Sequence, residues 1–198
     1  MYKFFFKRIF DIMIGLVALP FVLLLIIVVG PIIFFTDKGP IFYNGPRIGL
    51  HGKVFKMCKF RSMKVNAPDI RTADGSTYNS DDDPRVTKVG RFLRKTSLDE
   101  IPQFLNVLAG QMSLVGNRPD TPRMLDVYTD DQKKWLLVTK PGITGYSQAY
   151  YRNSTTNEEK IANDIYYAQH ESLAMDIKII FRTIKTVISR ENINRSDI

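Results

Sequence analysis

Residues 12–35 carry no charged side chain. A run of 24 such residues exceeds the roughly 20 that cross a bilayer as a helix, so everything else in the chain must fold beside a membrane segment. The run is too long for the apolar core of a signal peptide, and no A-x-A-like cleavage site follows before Asp37, so the segment is expected to stay attached. Pro20 interrupts it and Pro31 lies near its end. A proline inside a helix removes one hydrogen bond and forces a kink. Lys3, Lys7 and Arg8 precede the run, and Lys38, Arg47, Lys53 and Lys56 follow it, so the positive-inside rule gives no clear direction. Basic flanks on both sides suit a re-entrant helix–break–helix at Pro20, with both ends on one face of the membrane; a single kinked spanning helix is the competing reading. Phe4, Phe5, Phe6 and Phe10 beside the first lysines suit an interfacial start.

The 198 residues leave room for an anchor over residues 1–36 and one compact domain over 37–198. Net charge is +8 and the pI about 9.5. Setting aside Lys3, Lys7, Arg8 and Asp11 still leaves 25 basic and 19 acidic residues, a net +6. That balance points to anionic partners: phosphate esters, nucleic acid or an anionic membrane surface. A single cysteine, Cys58, excludes an internal disulfide and reads as packing in a strand.

The expected fold is α/β in the α+β sense, helix-rich with a few short strands. Residues 41–43 and 53–60 read as strands, with Gly45–Pro46 and Gly49–Leu50–His51–Gly52 as turns. Residues 66–84 read as a polar surface loop, in which Asp81, Asp82 and Asp83 form a solvated acidic run. Helical pattern follows at residues 89–93, 99–108, 121–139 and 158–169. The last helix, 172–190, carries Leu173, Ile177, Ile180, Phe181, Ile184, Val187 and Ile188 on one stripe, expected to pack on the core, with Lys178, Arg182, Lys185 and Arg190 on the other side.

Several chemistries have no signature here. There is no glycine-rich loop of the P-loop or dinucleotide type and no Cys/His metal cluster. His51 and His170 are the only histidines, both in turn-like or helix-end settings, so histidine acid–base catalysis is not expected. Residues 94–103 are more informative. Ser97 and Glu100 have capping-box spacing, with Ser97 as N-cap. Asp99 would then sit in a first helical turn, where free N–H groups and the helix dipole keep a carboxylate ionised. With Arg94 and Lys95 nearby, Asp99 suits a nucleophile toward phosphorus or a metal ligand, or simply ordinary capping. Arg118, in a loop between Asn117 and Pro119, can offer a planar fork to phosphate or make a structural salt bridge.

In their order and spacing, several segments resemble the bacterial sugar transferases, the small monotopic phosphoglycosyl transferases. These are Lys59–Phe60–Arg61–Ser62–Met63, the run from Asp83 through Arg94 to Gln103, Gly116–Asn117–Arg118–Pro119, and Lys140–Pro141–Gly142–Ile143–Thr144–Gly145. The resemblance covers nearly the whole chain. It implies transfer of a phospho-sugar from a UDP-sugar to polyprenol phosphate, with release of UMP, on the cytoplasmic face of a bacterial plasma membrane. It implies Asp99 as the nucleophile of a covalent phospho-sugar intermediate, and Glu100 as its partner, as metal ligand or base. A magnesium ion on the donor diphosphate, near Asp99 and Glu100, is implied as cofactor.

By the same resemblance Arg94, Arg118 and Pro119 face phosphate, and Lys59 and Arg61 lie near the site or act structurally. Gln148, Arg152 and Asn153 shape the donor pocket. Two departures stand out. The membrane break is Leu19–Pro20 rather than serine–proline, and the phosphate loop has Asn117 where the family has its first proline. A homodimer is compatible with this reading, and nucleic acid is not among its partners. The competing readings are a membrane-anchored basic nucleic-acid-binding module, supported by residues 85–95, and a non-catalytic membrane scaffold.

Overall fold

The structure is a computed structural model that describes residues 2–70, 78, 80, 82–151 and 155–189. A π-helical turn, Tyr2–Phe6, leads into one long helix, α1 (Lys7–Asp37). Its buried positions are Lys7, Asp11, Gly15, Val22, Val29, Gly30 and Ile33, spacings that place them on one stripe. At the N-terminal end Lys7 pairs with Asp176 and lies 2.9 Å from the Tyr167 hydroxyl. Arg8 donates to the carbonyls of Val107 (2.6 Å) and Leu108 (2.9 Å). Asp11 accepts from the Ser113 hydroxyl (3.0 Å) and the Leu114 N–H (2.9 Å). A Cβ on Gly15 would lie 2.7 Å from Leu108, so glycine permits the close crossing here. At the C-terminal end Val29 and Ile33 pack with Phe60 and Leu93, and Asp37 pairs with Arg61. Lys38 turns the chain away in the left-handed conformation (φ 54).

The backbone of α1 stays helical through Pro20 and Pro31, so the sequence expectation of an interruption at Pro20 is not met in that form. Each proline removes one backbone donor, while the flanking residues keep helical dihedrals. Thirty-one residues make a helix of about 46 Å. The face opposite the buried stripe is apolar and open: Val17 is 82 % exposed, Ile27 70 % and Phe35 68 %.

Two small sheets carry the next layer. β1 (Phe42–Ile48) and β2 (Val54–Phe60) form an antiparallel hairpin, in register from Phe42↔Phe60 to Ile48↔Val54. Gly45 and Pro46 lie within β1, where a turn was expected, because an edge strand tolerates a residue without an N–H. The turn proper is Leu50–Gly52, with φ 56 at His51 and 75 at Gly52. After β2 the chain passes α2 (Lys88–Thr96) so closely that a Cβ on Gly90 would lie 1.8 Å from the Ser62 carbonyl oxygen. Then come α3 (Gln103–Leu108) and β3 (Ser113–Val115), which pairs in parallel with β4 (Gly142–Thr144).

The helix expected over residues 121–139 is instead two short ones, α4 (Met124–Val127) and α5 (Asp130–Leu136). Tyr128 is extended (ψ 134) between them, and Thr129 starts α5 with a capping box to Gln132. The chain continues through α6 (Tyr146–Tyr150), α7 (Asn157–His170) and α8 (Leu173–Ser189). The helix-rich α+β expectation is met by these elements.

α8 reverses one expectation. Its apolar stripe faces outward: Leu173, Ile177, Phe181 and Ile184 are exposed, Phe181 by 70 %. The inner face uses Ile179 with three polar anchors. Asp176 takes Lys7, Tyr2 and Tyr167; Thr183 bonds Thr144 (2.6 Å); Thr186 donates to the Ala149 carbonyl (3.1 Å). The acidic run is likewise not uniformly solvated. Asp83 is fully buried and holds Arg85 at 2.7 Å, while Asp82 is exposed and Asp81 lies outside the described residues. Arg85 pulls Asp83 inward because a buried guanidinium requires a carboxylate partner.

Candidate active site

The segment singled out in the sequence does not form the expected cap. Ser97 is the left-handed residue (φ 57) that ends α2, and its N–H bonds the Arg94 carbonyl at 3.1 Å. Its side chain caps nothing, because the residue is spent on reversing the chain. Leu98–Glu100 is a 3-10 turn, and α3 begins only at Gln103. Asp99 therefore sits in a tight turn between two helices, 9 % exposed.

That burial reverses the electrostatic expectation as well. Loss of water, and then the neighbouring Glu100 charge, push the Asp99 carboxyl up to about 6, while Lys59 and Arg94 pull it back. At pH 7 the group is still mostly ionised, and its cations rather than a helix terminus keep it so. Lys59, from β2, donates to Glu100 at 2.6 Å. Arg94, from α2, donates its Nε to the Ser62 hydroxyl at 2.9 Å. Burial lowers the Arg94 pKa and Asp99 raises it.

A groove of about 1500 Å³ runs past Asp99. Lys59, Arg61, Arg94, Asp99, Glu100, Arg118, Pro119 and Gln148 all line it. Arg152 and Asn153 lie outside the described residues. Arg118 is exposed on the loop after β3, and its side chain makes no hydrogen bond or ion pair among the described residues. Arg61 is differently engaged: it is buried and holds Asp37 and the Ile33 carbonyl (3.5 Å) at the end of α1. Gln148 donates to the Ile143 carbonyl at 3.4 Å and keeps a buried Oε1 with no partner among the described residues.

Sequence reasoning passed over Arg47 and Ser62. Arg47, on β1, lines the same groove. Burial depresses its pKa most and Arg118 depresses it further, while Asp120 raises it, so two guanidiniums share one wall. The signal was the basic residue two positions after Gly45 in a strand, masked by reading Gly45–Pro46 as a turn. Ser62 was visible only as part of a motif; its task is to hold Arg94. Among the described residues no three His, Cys, Asp or Glu converge on a metal-sized site. The adjacent Asp99 and Glu100 are the acidic groups that two flanking cations keep at the groove.

A buried carboxylate beside a wall of cations suits nucleophilic or metal-assisted chemistry on a phosphate ester. The comparisons with known proteins agree in class. Residues 2–190 match the model of the family described as bacterial sugar transferase. The chain is 44 % identical over 160 residues to a galactosyl transferase, CpsE, of Streptococcus agalactiae, a match covering 77 % of this chain and 35 % of that protein. It is 38 % identical over 204 residues to an undecaprenyl-phosphate galactose phosphotransferase of Salmonella typhimurium, covering 94 % and 41 %. It is 40 % identical over 192 residues to the exopolysaccharide production protein ExoY of Sinorhizobium fredii, covering 91 % and 84 %. The chain thus spans less than half the length of the first two and most of the third.

Proposed function

The chain belongs to the bacterial sugar transferase family, and on that premise we propose that it moves a phospho-sugar from a UDP-sugar to polyprenol phosphate at a membrane surface, releasing UMP. The observation that carries this reading is Asp99: a buried carboxylate, flanked by Lys59 and Arg94, opening onto a groove that also presents Arg47 and Arg118. The acceptor class is in the name of the undecaprenyl-phosphate galactose phosphotransferase, and the donor class in that of a UDP-galactose-lipid carrier transferase of Erwinia amylovora, 37 % identical over 198 residues.

The reaction is a double displacement. An Asp99 oxygen attacks the sugar-linked phosphorus; an O–P bond forms and the P–O bond to UMP breaks. A phosphate oxygen of the polyprenol then attacks the same phosphorus, the bond to Asp99 breaks, and a polyprenyl diphosphate sugar leaves. Arg118 and Arg47 hold the donor's diphosphate, and Lys59 favours the ionised form of Asp99 while it pairs with Glu100. Asp99 and Glu100 suit a magnesium ion that arrives with the diphosphate, since such ions use one or two carboxylates and complete their shell with substrate oxygens and water. When bound, that ion neutralises charge on the leaving phosphate.

The anchor supports a monotopic arrangement. Both ends of α1 are fastened to the same body, through Lys7 and Arg8 at one end and Asp37 at the other, and its free face is apolar throughout. A helix crossing the bilayer alone would leave that body behind. α1 and the exposed stripe of α8 instead suit a shallow seat in one leaflet, with residues 37–198 as the catalytic domain on the cytoplasmic face. Such a seat puts Asp99 within reach of a lipid phosphate and a water-soluble donor.

The test is UMP release by nanodisc-held protein given magnesium, undecaprenyl phosphate and a panel of UDP-sugars. Release with one donor, absent in Asp99→Asn, is expected. Absence of release from every donor in a folded sample contradicts the assignment.

A further inference from the structure

Arg118 presents an exposed guanidinium that no neighbouring side chain holds, so its position is set by its own main chain. What holds that main chain lies next to it, in a cavity of about 20 Å³. Asn117, Arg118, Thr139 and Asp164 are among its lining residues. Three buried oxygens there have no hydrogen-bond partner among the described residues: Asn117 Oδ1, Thr139 Oγ1 and Asp164 Oδ1. Their residues are only 6 %, 6 % and 2 % exposed.

The chemistry of the three atoms is complementary to one water. Asn117 Oδ1 and an ionised Asp164 only accept, whereas the Thr139 hydroxyl both donates and accepts. A single water donates to the two acceptors and accepts from the hydroxyl, and the cavity is large enough for one.

Asp164 also meets Arg118 directly. Burial is the largest influence on Asp164 and pushes its carboxyl up to about 7, with Asp120 adding to it, while the Lys160 and Arg118 charges and the Arg118 backbone N–H beside it favour the ionised form. Lys160, one turn earlier on α7, pairs with Asp120 at the far end of the same loop. α7 thus grips residues 117–120 at both ends, and Arg118 projects from between the two grips.

We propose that Asp164, with one water shared with Asn117 and Thr139, is a positioning residue that fixes the backbone of Arg118 so that its guanidinium meets the donor's diphosphate. This rests on the phosphate-binding reading of the groove given above, but its test does not require turnover. Full-length Asp164→Asn in nanodiscs is titrated with UDP by calorimetry, alongside wild type, and its thermal midpoint is recorded. UDP is expected to bind about tenfold more weakly. In the UMP-release assay the donor KM is expected to rise by a similar factor with kcat little changed. UDP affinity at the wild-type value overturns the proposal, whether or not the midpoint falls, because that result describes a structural carboxylate only. If Asp164→Asn does not fold, Thr139→Val decides by the same titration: weaker UDP binding supports the proposal and wild-type affinity overturns it. Failure of the wild-type protein to release UMP while it binds UDP speaks against the reaction, and leaves this test standing.

Discussion

Lys59 and Glu100, 41 residues apart in the chain, meet at 2.6 Å on the wall of the groove, with Asp99 adjacent. The lysine does two things at once: it holds Glu100, and its charge lowers the pKa of a carboxyl that burial has raised. Removing it by Lys59→Gln takes away the cation that offsets the Glu100 charge and leaves Asp99 easier to protonate. The expected outcome is a fall of roughly tenfold in kcat/KM at pH 7, partly recovered at pH 8.5. A pH–rate profile of both proteins checks this; a loss that is uniform across pH contradicts the electrostatic role.

Asp99 gives a stability prediction with a definite sign. Its folded pKa of about 6 lies above the unfolded value of about 3.9. The fold therefore prefers the protonated form, and this contribution is fully present below about pH 4 and lost as pH rises through 6. Asp99→Asn removes the charged state, so the variant gains on wild type between about pH 4 and 6, reaching at most about 3 kcal/mol above that. Urea unfolding without divalent ions across this range measures the difference. A variant that loses ground as pH rises would refute the assigned burial.

Arg47 and Arg118 share one wall of the groove. A charge-assisted contact to phosphate contributes about 1.5–3 kcal/mol, so Arg47→Ala and Arg118→Ala should each raise the donor KM about ten- to a hundredfold. Arg118→Lys should recover only part, because an ammonium lacks the planar fork. Steady-state kinetics with varied donor distinguish this from a general loss of folded protein, which lowers kcat alone.

The start of α1 depends on a buried cation. Lys7 faces Asp176 and Glu171, whose side chains are 3 % and 5 % exposed. Lys7→Met leaves Asp176 with only the Tyr2 and Tyr167 hydroxyls and Glu171 with the more exposed Lys3, and breaking a buried pair from one side costs about 3–5 kcal/mol. A drop of about 10 °C in the melting midpoint is expected. A midpoint within 2 °C of wild type contradicts the latch.

The exposed stripe of α8 offers a membrane test. Phe181→Asp with Ile184→Asp places two charges on a face the fold does not cover, since these residues are 70 % and 51 % exposed. Co-sedimentation of detergent-released protein with anionic vesicles should fall severalfold while the melting midpoint holds. Loss of the fold instead would return the stripe to the core.

Much of the site could be read from the chain, and the reasons it could be read differ from the reasons it works. Asp99 stood out for a capping pattern that does not form; its chemistry comes from β2 and α2 closing over it, through contacts such as Lys59–Glu100 and Arg94–Ser62, 41 and 32 residues apart, that no local pattern encodes. Arg118 and Lys59 were found by motif, yet Arg47 was lost inside a strand misread as a turn. The long apolar run predicted α1, and its Lys7–Asp11–Gly15 spacing already held the buried stripe. Periodicity found the α8 stripe but could not say what it faces, because a helix turned toward lipid and one turned toward a core share one pattern. The break between α4 and α5 was written as Thr129 and Gln132, a cap signal overridden by the apolar residues on either side.

The central claim is that Asp99 carries the phospho-sugar. Its most direct test is intact-protein mass spectrometry after the protein is incubated with magnesium and its UDP-sugar donor, without polyprenol phosphate. The account predicts one added phospho-sugar, mapped by proteolysis to the peptide containing Asp99, discharged on adding acceptor, and absent in Asp99→Asn. Turnover that proceeds with no adduct at any time, or an adduct that survives in Asp99→Asn, would contradict it.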